Sequence, residues 1–264
     1  MNRSVAMALT MALMTAMPAA AQTASNQATP PQTGGPDFLS RFAFHVGIEH
    51  LFDDDPRFEW DAHWGAELDL IDYGPGALIF VAAYQTILGD EFREFDPNQG
   101  NYTLGGSASV QAGVVEVAGV FHHVSRHLSD RPKRFPVDWN MVGGRIRTGF
   151  VRGRTELRGQ LDLRGVIQKS FVDYQWEMDG NARAQVRLTP RVAFVALGVF
   201  RVVGVDGSRE RGDQYGWRTD GAIRLDGPAA ALELFAAAER RIDPYQLEFS
   251  TATWLTTGFR LVSR

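Results

Sequence analysis

The sequence predicts an all-β fold, a transmembrane antiparallel up-and-down β-barrel of about twelve strands, and three features carry that expectation. The first is alternation. Residues 57–71 place Phe58, Trp60, Ala62, Trp64, Ala66, Leu68 and Leu70 on one parity, with Glu59, Asp61, His63, Gly65, Glu67 and Asp69 on the other. In residues 172–188, Val172, Tyr174, Trp176, Met178, Ala182, Ala184, Val186 and Leu188 oppose Asp173, Gln175, Glu177, Asp179, Asn181, Arg183, Gln185 and Arg187. A period of two belongs to strands. Runs this long exceed the ~5–6 residues of a strand in a soluble sandwich. They suit a tilted strand with lipid on one side and water on the other.

The second feature is an export signal. Arg3 precedes an apolar run through Ala16, and Pro18-Ala19-Ala20-Ala21 supplies small residues for cleavage. Residues 1–21 therefore read as a cleaved signal peptide. Residues 22–37, rich in Gln, Thr, Pro and Gly, read as a flexible lead-in, and 38–264 as the barrel. The localisation expected is the outer membrane of a Gram-negative bacterium. No cysteine is present, so an exported chain depends on its fold alone, and a closed barrel has no open edge. No long apolar run follows the signal, which excludes a helical membrane protein. A net charge of −4 argues against nucleic acid. The bias to arginine, with only Lys133 and Lys169 as lysines, fits phosphate binding or a GC-rich genome.

The third feature is the spacing of segments. Alternation and turn residues mark strands at 39–52, 57–71, 76–87, 101–111, 114–125, 138–150, 155–167, 172–188, 191–204, 213–226, 229–240 and 245–262. With the first strand running outward, the outer connections are 53–56, 88–100, 126–137, 168–171, 205–212 and 241–244. The inner ones are 72–75, 112–113, 151–154, 189–190 and 227–228. The three longest all fall outside, as bacterial barrels require. Lipid-facing Phe58, Trp60, Tyr174, Trp176, Tyr215 and Trp217 would form an interfacial girdle near the outer ends. The chain ends Phe259-Arg260-Leu261-Val262-Ser263-Arg264, so a terminal recognition strand would span residues 251–262 with two residues beyond it.

Inward parities carry a dense mixture of both charges: Arg41, His45, Glu49, Glu59, Asp61, Glu67, Asp69, Arg145, Arg147, Glu156, Arg158, Asp162, Arg164, Glu177, Arg183, Arg187, Arg218, Asp220, Arg224, Glu233 and Glu239. Such a lumen is expected to be filled largely by salt bridges rather than to form a selective pore. His45 and His63 read as hydrogen-bonded luminal histidines or, with neighbouring carboxylates, as a metal site.

Residues 121–130, FHHVSRHLSD, carry the candidate chemistry. Val115, Val117, Gly119 and Phe121 define the lipid face, and His123, Ser125 and, if pairing persists, His127 share their parity. Polar groups facing lipid need a reason. With 126–137 as the loop, His123 falls opposite Asn140 and Ser125 opposite Asp138, and Asn140 faces out with Val142, Ile146 and Phe150. Directly opposed side chains on a sheet stand about 4.5–5.5 Å apart at Cβ. Ser125 would then be a nucleophile, His123 its general base and Asn140 the group that holds the imidazole tautomer. The basic loop residues Arg126, Arg131, Lys133 and Arg134 would suit lipopolysaccharide phosphates.

His123-x-Ser125 followed by Trp139-Asn140 resembles outer-membrane phospholipase A, a twelve-stranded barrel with its triad on the lipid-facing exterior. The resemblance implies the same roles for His123, Ser125 and Asn140, together with calcium and dimerisation. That family follows its serine with Asn-Gly, where this chain has Arg126-His127. The run His123-x-Ser125-x-His127-Leu128-x-Asp130 is also similar to the His-x-Ser-Ser-His-Leu-Gly-Asp motif of an uncharacterised family of bacterial outer-membrane barrels, a domain of unknown function. Arg126 and Ser129 depart from it, and it implies a barrel and a location but no activity. Lipid A deacylases also pair His-x-Ser on an outward strand, with an acidic third member and a smaller barrel. The function expected is hydrolysis of phospholipid or lipid A acyl esters. The alternative is a non-enzymatic barrel, either a narrow pore or a structural, lipopolysaccharide-binding protein. The partners implied are outer-membrane lipids, the barrel-assembly machinery and a second copy in a homodimer.

Overall fold

A computed structural model describes residues 35–129 and 135–263. The signal peptide, most of the lead-in, Asp130, Arg131, Lys133 and Arg134 lie outside the described residues. Twelve strands follow one another: β1 (Asp37–Phe52), β2 (Trp60–Asp72), β3 (Ala77–Gly89), β4 (Asp96–Ala112), β5 (Val115–Leu128), β6 (Val137–Arg152), β7 (Thr155–Ser170), β8 (Tyr174–Arg187), β9 (Val192–Val205), β10 (Gln214–Asp226), β11 (Ala230–Ile242) and β12 (Thr251–Ser263). Each pairs antiparallel with its sequence neighbours. β1 closes the ring against β12, in register from His45 opposite Val262 to Phe52 opposite Leu255. This is the predicted up-and-down barrel, the fold of the outer-membrane β-barrel class.

Long side chains alternate across the wall as the sequence implies. Phe42, Trp64, Phe121, Ile146, Leu163 and Phe259 are exposed outside, while Glu49, Asp61, Arg147, Glu177, Glu233 and Arg260 are buried inside. An apolar outside and a charged inside are what a strand needs to cross a bilayer, because every backbone group is paired around the ring and only apolar side chains meet lipid.

The luminal charges form networks that tie strands distant in the ring. Arg147 on β6 reaches Glu67 on β2 at 3.0 Å, and Arg41 on β1 binds the same carboxylate. Arg218 on β10 bonds Glu49 on β1 and Glu239 on β11, each at 2.8 Å. Arg241 on β11 meets Asp61 on β2 at 2.7 Å. Glu233 on β11 collects Arg183, Arg224 and Arg260. These charges are out of bulk water, and only pairing makes their burial tolerable.

Several boundaries and facings differ from the sequence reading. Residues 57–59 are not strand: Phe58 N–H bonds the Asp55 carbonyl in a turn. That turn carries Phe58 inward, where it is buried against Leu51, Ile87 and Trp254 instead of joining a girdle. Asp55 and Arg57 secure this outer turn, the Arg57 hydrogen bond holding the Asp55 carboxyl below its ordinary range. On β8, Tyr174 pairs with Val205 while Trp176 pairs with Gly204. Gln175 is therefore an extra residue, a bulge that reverses parity. Tyr174 and Val172 consequently turn inward into the cluster with Trp139 and Met141. β4 begins at Asp96 rather than 101, and β12 begins at Thr251 rather than 245, because residues 243–250 fold over the outer mouth.

On the outer wall, aromatics lie over glycines of the facing strand. Phe200 covers Gly180, and the Trp176 indole covers Gly204. A Cβ at Gly204 would fall inside the indole. Gly204→Ala is expected to displace Trp176 and to destabilise the barrel by about 1–3 kcal/mol, the range for overpacking. The check is the urea midpoint in lipid vesicles, and an unchanged midpoint contradicts this role for the glycine.

Candidate active site

The site rests on the β5–β6 hairpin. β5 continues to Leu128, so the alternation survives past Ser125. His122 bonds Arg164 and Arg126 bonds the Asp243 carbonyl, both inside the barrel, which leaves His123, Ser125 and His127 on the outside. The pairing is the expected one, His123 opposite Asn140 and Ser125 opposite Asp138.

Two hydrogen-bonded groups result. His123 Nδ1 lies 2.7 Å from Asn140 Oδ1. Asn140 Nδ2 donates to Gln168 Oε1, and Gln168 Nε2 donates to Asp138 Oδ1 at 3.0 Å. Separately, Ser125 Oγ lies 2.8 Å from His127 Nε2. The structure thus joins His123 to Asn140 as expected, but pairs the Ser125 hydroxyl with His127 rather than His123. With Asn140 Oδ1 as acceptor, His123 carries its proton on Nδ1 and presents the Nε2 lone pair.

The site's height on the wall follows from register. Trp64, Tyr84, Tyr102 and Ser125 are successive cross-strand partners. Ring centroids along this row are 5.7 Å apart for Trp64 and Tyr84 and 4.7 Å for Tyr84 and Tyr102, and Tyr102 meets His127 edge-on at 5.3 Å. Tyr and Trp concentrate where a membrane's apolar interior gives way to its headgroups. Leu104, Phe121 and Val142, exposed on the same face, extend from this row toward the other leaflet.

Sequence reasoning noted the facing of His127 but gave it no role, although His-x-Ser-x-His places a histidine symmetrically on either side of the serine. It missed Gln168 altogether. Asn140 pairs with Gln168 and Met141 with Val166, so Ile167 is an extra residue that turns Gln168 outward. Nothing in the local pattern marks that bulge.

Among the described residues the patch offers one carboxylate, Asp138, and no group of three or more His, Asp or Glu side chains that could hold a metal ion. Calcium takes about 6–8 oxygen ligands, more than the described side chains of this patch supply on their own. The His45 and His63 rings stand 5.8 Å apart, and Nε2 of each lacks a hydrogen-bond partner among the described residues. They form neither the metal site nor the fully hydrogen-bonded pair that the sequence suggests.

No family model matches the chain, and no curated protein matches it. Solved structures similar to it include the outer membrane protein Omp33 of Acinetobacter baumannii, at 12% identity and a TM-score of 0.41, covering 85% of this chain and 97% of that one. OmpT, an outer membrane protein of Vibrio cholerae, is similar at 7% identity and a TM-score of 0.43, covering 86% and 97%. The barrel assignment rests on this chain's own closed strand pairing.

Proposed function

We propose that this protein resides in the bacterial outer membrane and hydrolyses acyl esters of phospholipid or lipid A at its lipid-facing wall. Ser125 is the nucleophile, His123 the general base and Asn140 the orienter. The observation that carries this reading is the His123–Asn140 bond on the outside of the barrel, with a serine two residues away on the same strand face and at the height of an aromatic girdle. Ester carbonyls of membrane lipids lie at that depth, just beneath the headgroups.

Ser125 stands between two histidines at equal sequence spacing, and the reaction requires a step of its χ1 between staggered wells that exchanges His127 for His123 as partner. In the reaction, Ser125 Oγ attacks the ester carbonyl carbon as its proton passes to His123 Nε2. Collapse of the tetrahedral adduct breaks the bond to the lipid alkoxide, which takes that proton and leaves as an alcohol. Water, deprotonated by His123, then releases the fatty acid and restores the serine. Asn140 accepts from Nδ1 throughout, so Nε2 is the nitrogen that takes and returns the proton.

The resemblance to phospholipase A supports the residue roles, and the luminal ion pairs favour this reading over an open pore. The test is fatty-acid release from detergent–phospholipid micelles and from lipid A by purified protein and by Ser125→Ala. The variant is expected to lose release by at least about 10²-fold. Equal release from both proteins overturns the assignment. Calcium and self-association, both implied by that resemblance, enter as separate arms, with added chelator and with cross-linking in micelles.

A further inference from the structure

Residues 243–250, which join β11 to β12, do not stand up from the barrel as a solvated turn. Asp243 and Gln246 are buried. The Pro244 carbonyl accepts from Gln99 Nε2 on β4, and Gln246 N–H donates to Gln99 Oε1. Arg126 on β5 donates to the Asp243 carbonyl across the mouth. The segment is a lid laid over the lumen.

Its fastening converges on one carboxylate. Asp243 accepts from both terminal nitrogens of Arg211, at 2.7 and 2.9 Å, from Tyr174 Oη at 2.6 Å and from Ser250 N–H at 3.0 Å. Arg211 belongs to the β9–β10 connection and also grips Asp173. The lid is not a comfortable closure. Asp243 holds a φ of 46°, in the left-handed region that a non-glycine residue rarely adopts. Both polar atoms of the Gln246 side chain are buried without a partner among the described residues, which opposes the closed state.

Arg126, which holds the Asp243 carbonyl, and Ile242, which adjoins the segment, border a luminal cavity of ≈ 180 Å³. Arg126, Trp139, Arg241 and Ile242 line its outer part, and Glu67, itself tied to Arg41 and Arg147, its inner part. Around it Asn101 Oδ1, Arg164 Nε, Asp179 Oδ1 and His45 Nε2 lack hydrogen-bond partners among the described residues. Unmet donors and acceptors of this kind around a cavity are partners for water or a small polar solute.

We propose that residues 243–250 are a gate, that the Arg211–Asp243 ion pair is its latch, and that opening it admits small polar solutes from the outer side into the luminal chamber. This does not depend on chemistry at the lipid-facing wall. Removing the latch leaves a strained, partly unsatisfied lid with less to hold it, so the open population rises.

The chain has no cysteine, so a single Val199→Cys, a buried position lining the chamber, reports access. It is reacted with a membrane-impermeant methanethiosulfonate in intact lipid vesicles, with the latch present and with Asp243→Asn or Arg211→Gln. Folding of each variant is verified by resistance to unfolding in cold detergent. The expected result is slow modification with the latch intact and modification faster by about tenfold or more in both variants, as a two-state lid losing its ion pair requires. A rate unchanged by either substitution overturns the proposal, whether the thiol is uniformly reactive or uniformly protected.

Discussion

His123→Ala is expected to lower fatty-acid release by about 10²–10⁴-fold, the usual worth of a positioned general base, whereas His127→Ala should cost less than about tenfold. The asymmetry follows from what holds each ring. Asn140 fixes His123 through Nδ1, so the Nε2 of the neutral ring has one direction and one tautomer to offer. His127 lies at the exposed end of β5, beside the Tyr102 ring, and hydrogen bonds the serine hydroxyl in the resting arrangement. Loss of His127 should therefore free Ser125 for His123. Asn140→Ala should follow His123→Ala in direction, with a smaller loss, because the imidazole remains but its tautomer is no longer held. The measurement is the rate of release at saturating lipid by the three variants. The opposite ranking, with His127→Ala the more damaging, would move the base to His127 and take Asn140 out of the reaction.

Glu233→Ala is expected to be the most destabilising single luminal change, by about 3–5 kcal/mol, the penalty for removing one partner from a buried charge network. Glu233 is fully buried and its two oxygens serve three guanidinium groups, with Arg183 at 2.5 Å, Arg224 at 2.9 Å and Arg260 at 2.8 Å. Arg260 keeps Asp220 and Arg224 keeps Asp226, whereas Arg183 has no second carboxylate partner among the described residues. The Arg183 cation would then be left unpaired beside two other guanidinium groups inside the barrel. Glu248→Ala is the contrast. Its pair with Arg57 lies in the outer connections with the glutamate 48% exposed, where solvent screens the attraction, so its loss should stay within about 1 kcal/mol. Urea midpoints in lipid vesicles distinguish the two. A Glu233→Ala midpoint as mild as that of Glu248→Ala would mean that water already enters the network and satisfies it.

The barrel was legible in the sequence because membrane crossing imposes strict alternation over long runs, and 57–71 shows it almost without interruption. The facing of His123, Ser125 and Asn140 followed from the same rule, as did the hairpin register, because Val117 and Phe121 on one strand and Val142 and Ile146 on the other anchor the parity on both sides. What escaped was every position where the ladder gains a residue. Gln175 reverses the parity ahead of Trp176, which is why Tyr174 was assigned to the wrong face. Ile167 does the same below Gln168. A bulge leaves no mark in a hydrophobic pattern when residues of both kinds flank it. The fold of residues 243–250 was hidden for a different reason. Its contacts reach β4, β5, β8 and the β9–β10 connection, and no local window contains them.

The seam between β1 and β12 sets the order in which such a wall can be made. Its ladder joins the first strand of the barrel to the last, beginning with His45 opposite Val262. Every other strand pair is a hairpin that needs only its immediate neighbours, but this one cannot form until the last strand exists. Closing so long a loop is the slowest kind of contact a chain makes. Until then β1 and β12 each present an unpaired edge, the surface most open to wrong partners. β12 is therefore the strand that ends the wall's exposure, and synthesis halted before it would leave a curved sheet with two open edges in place of a ring.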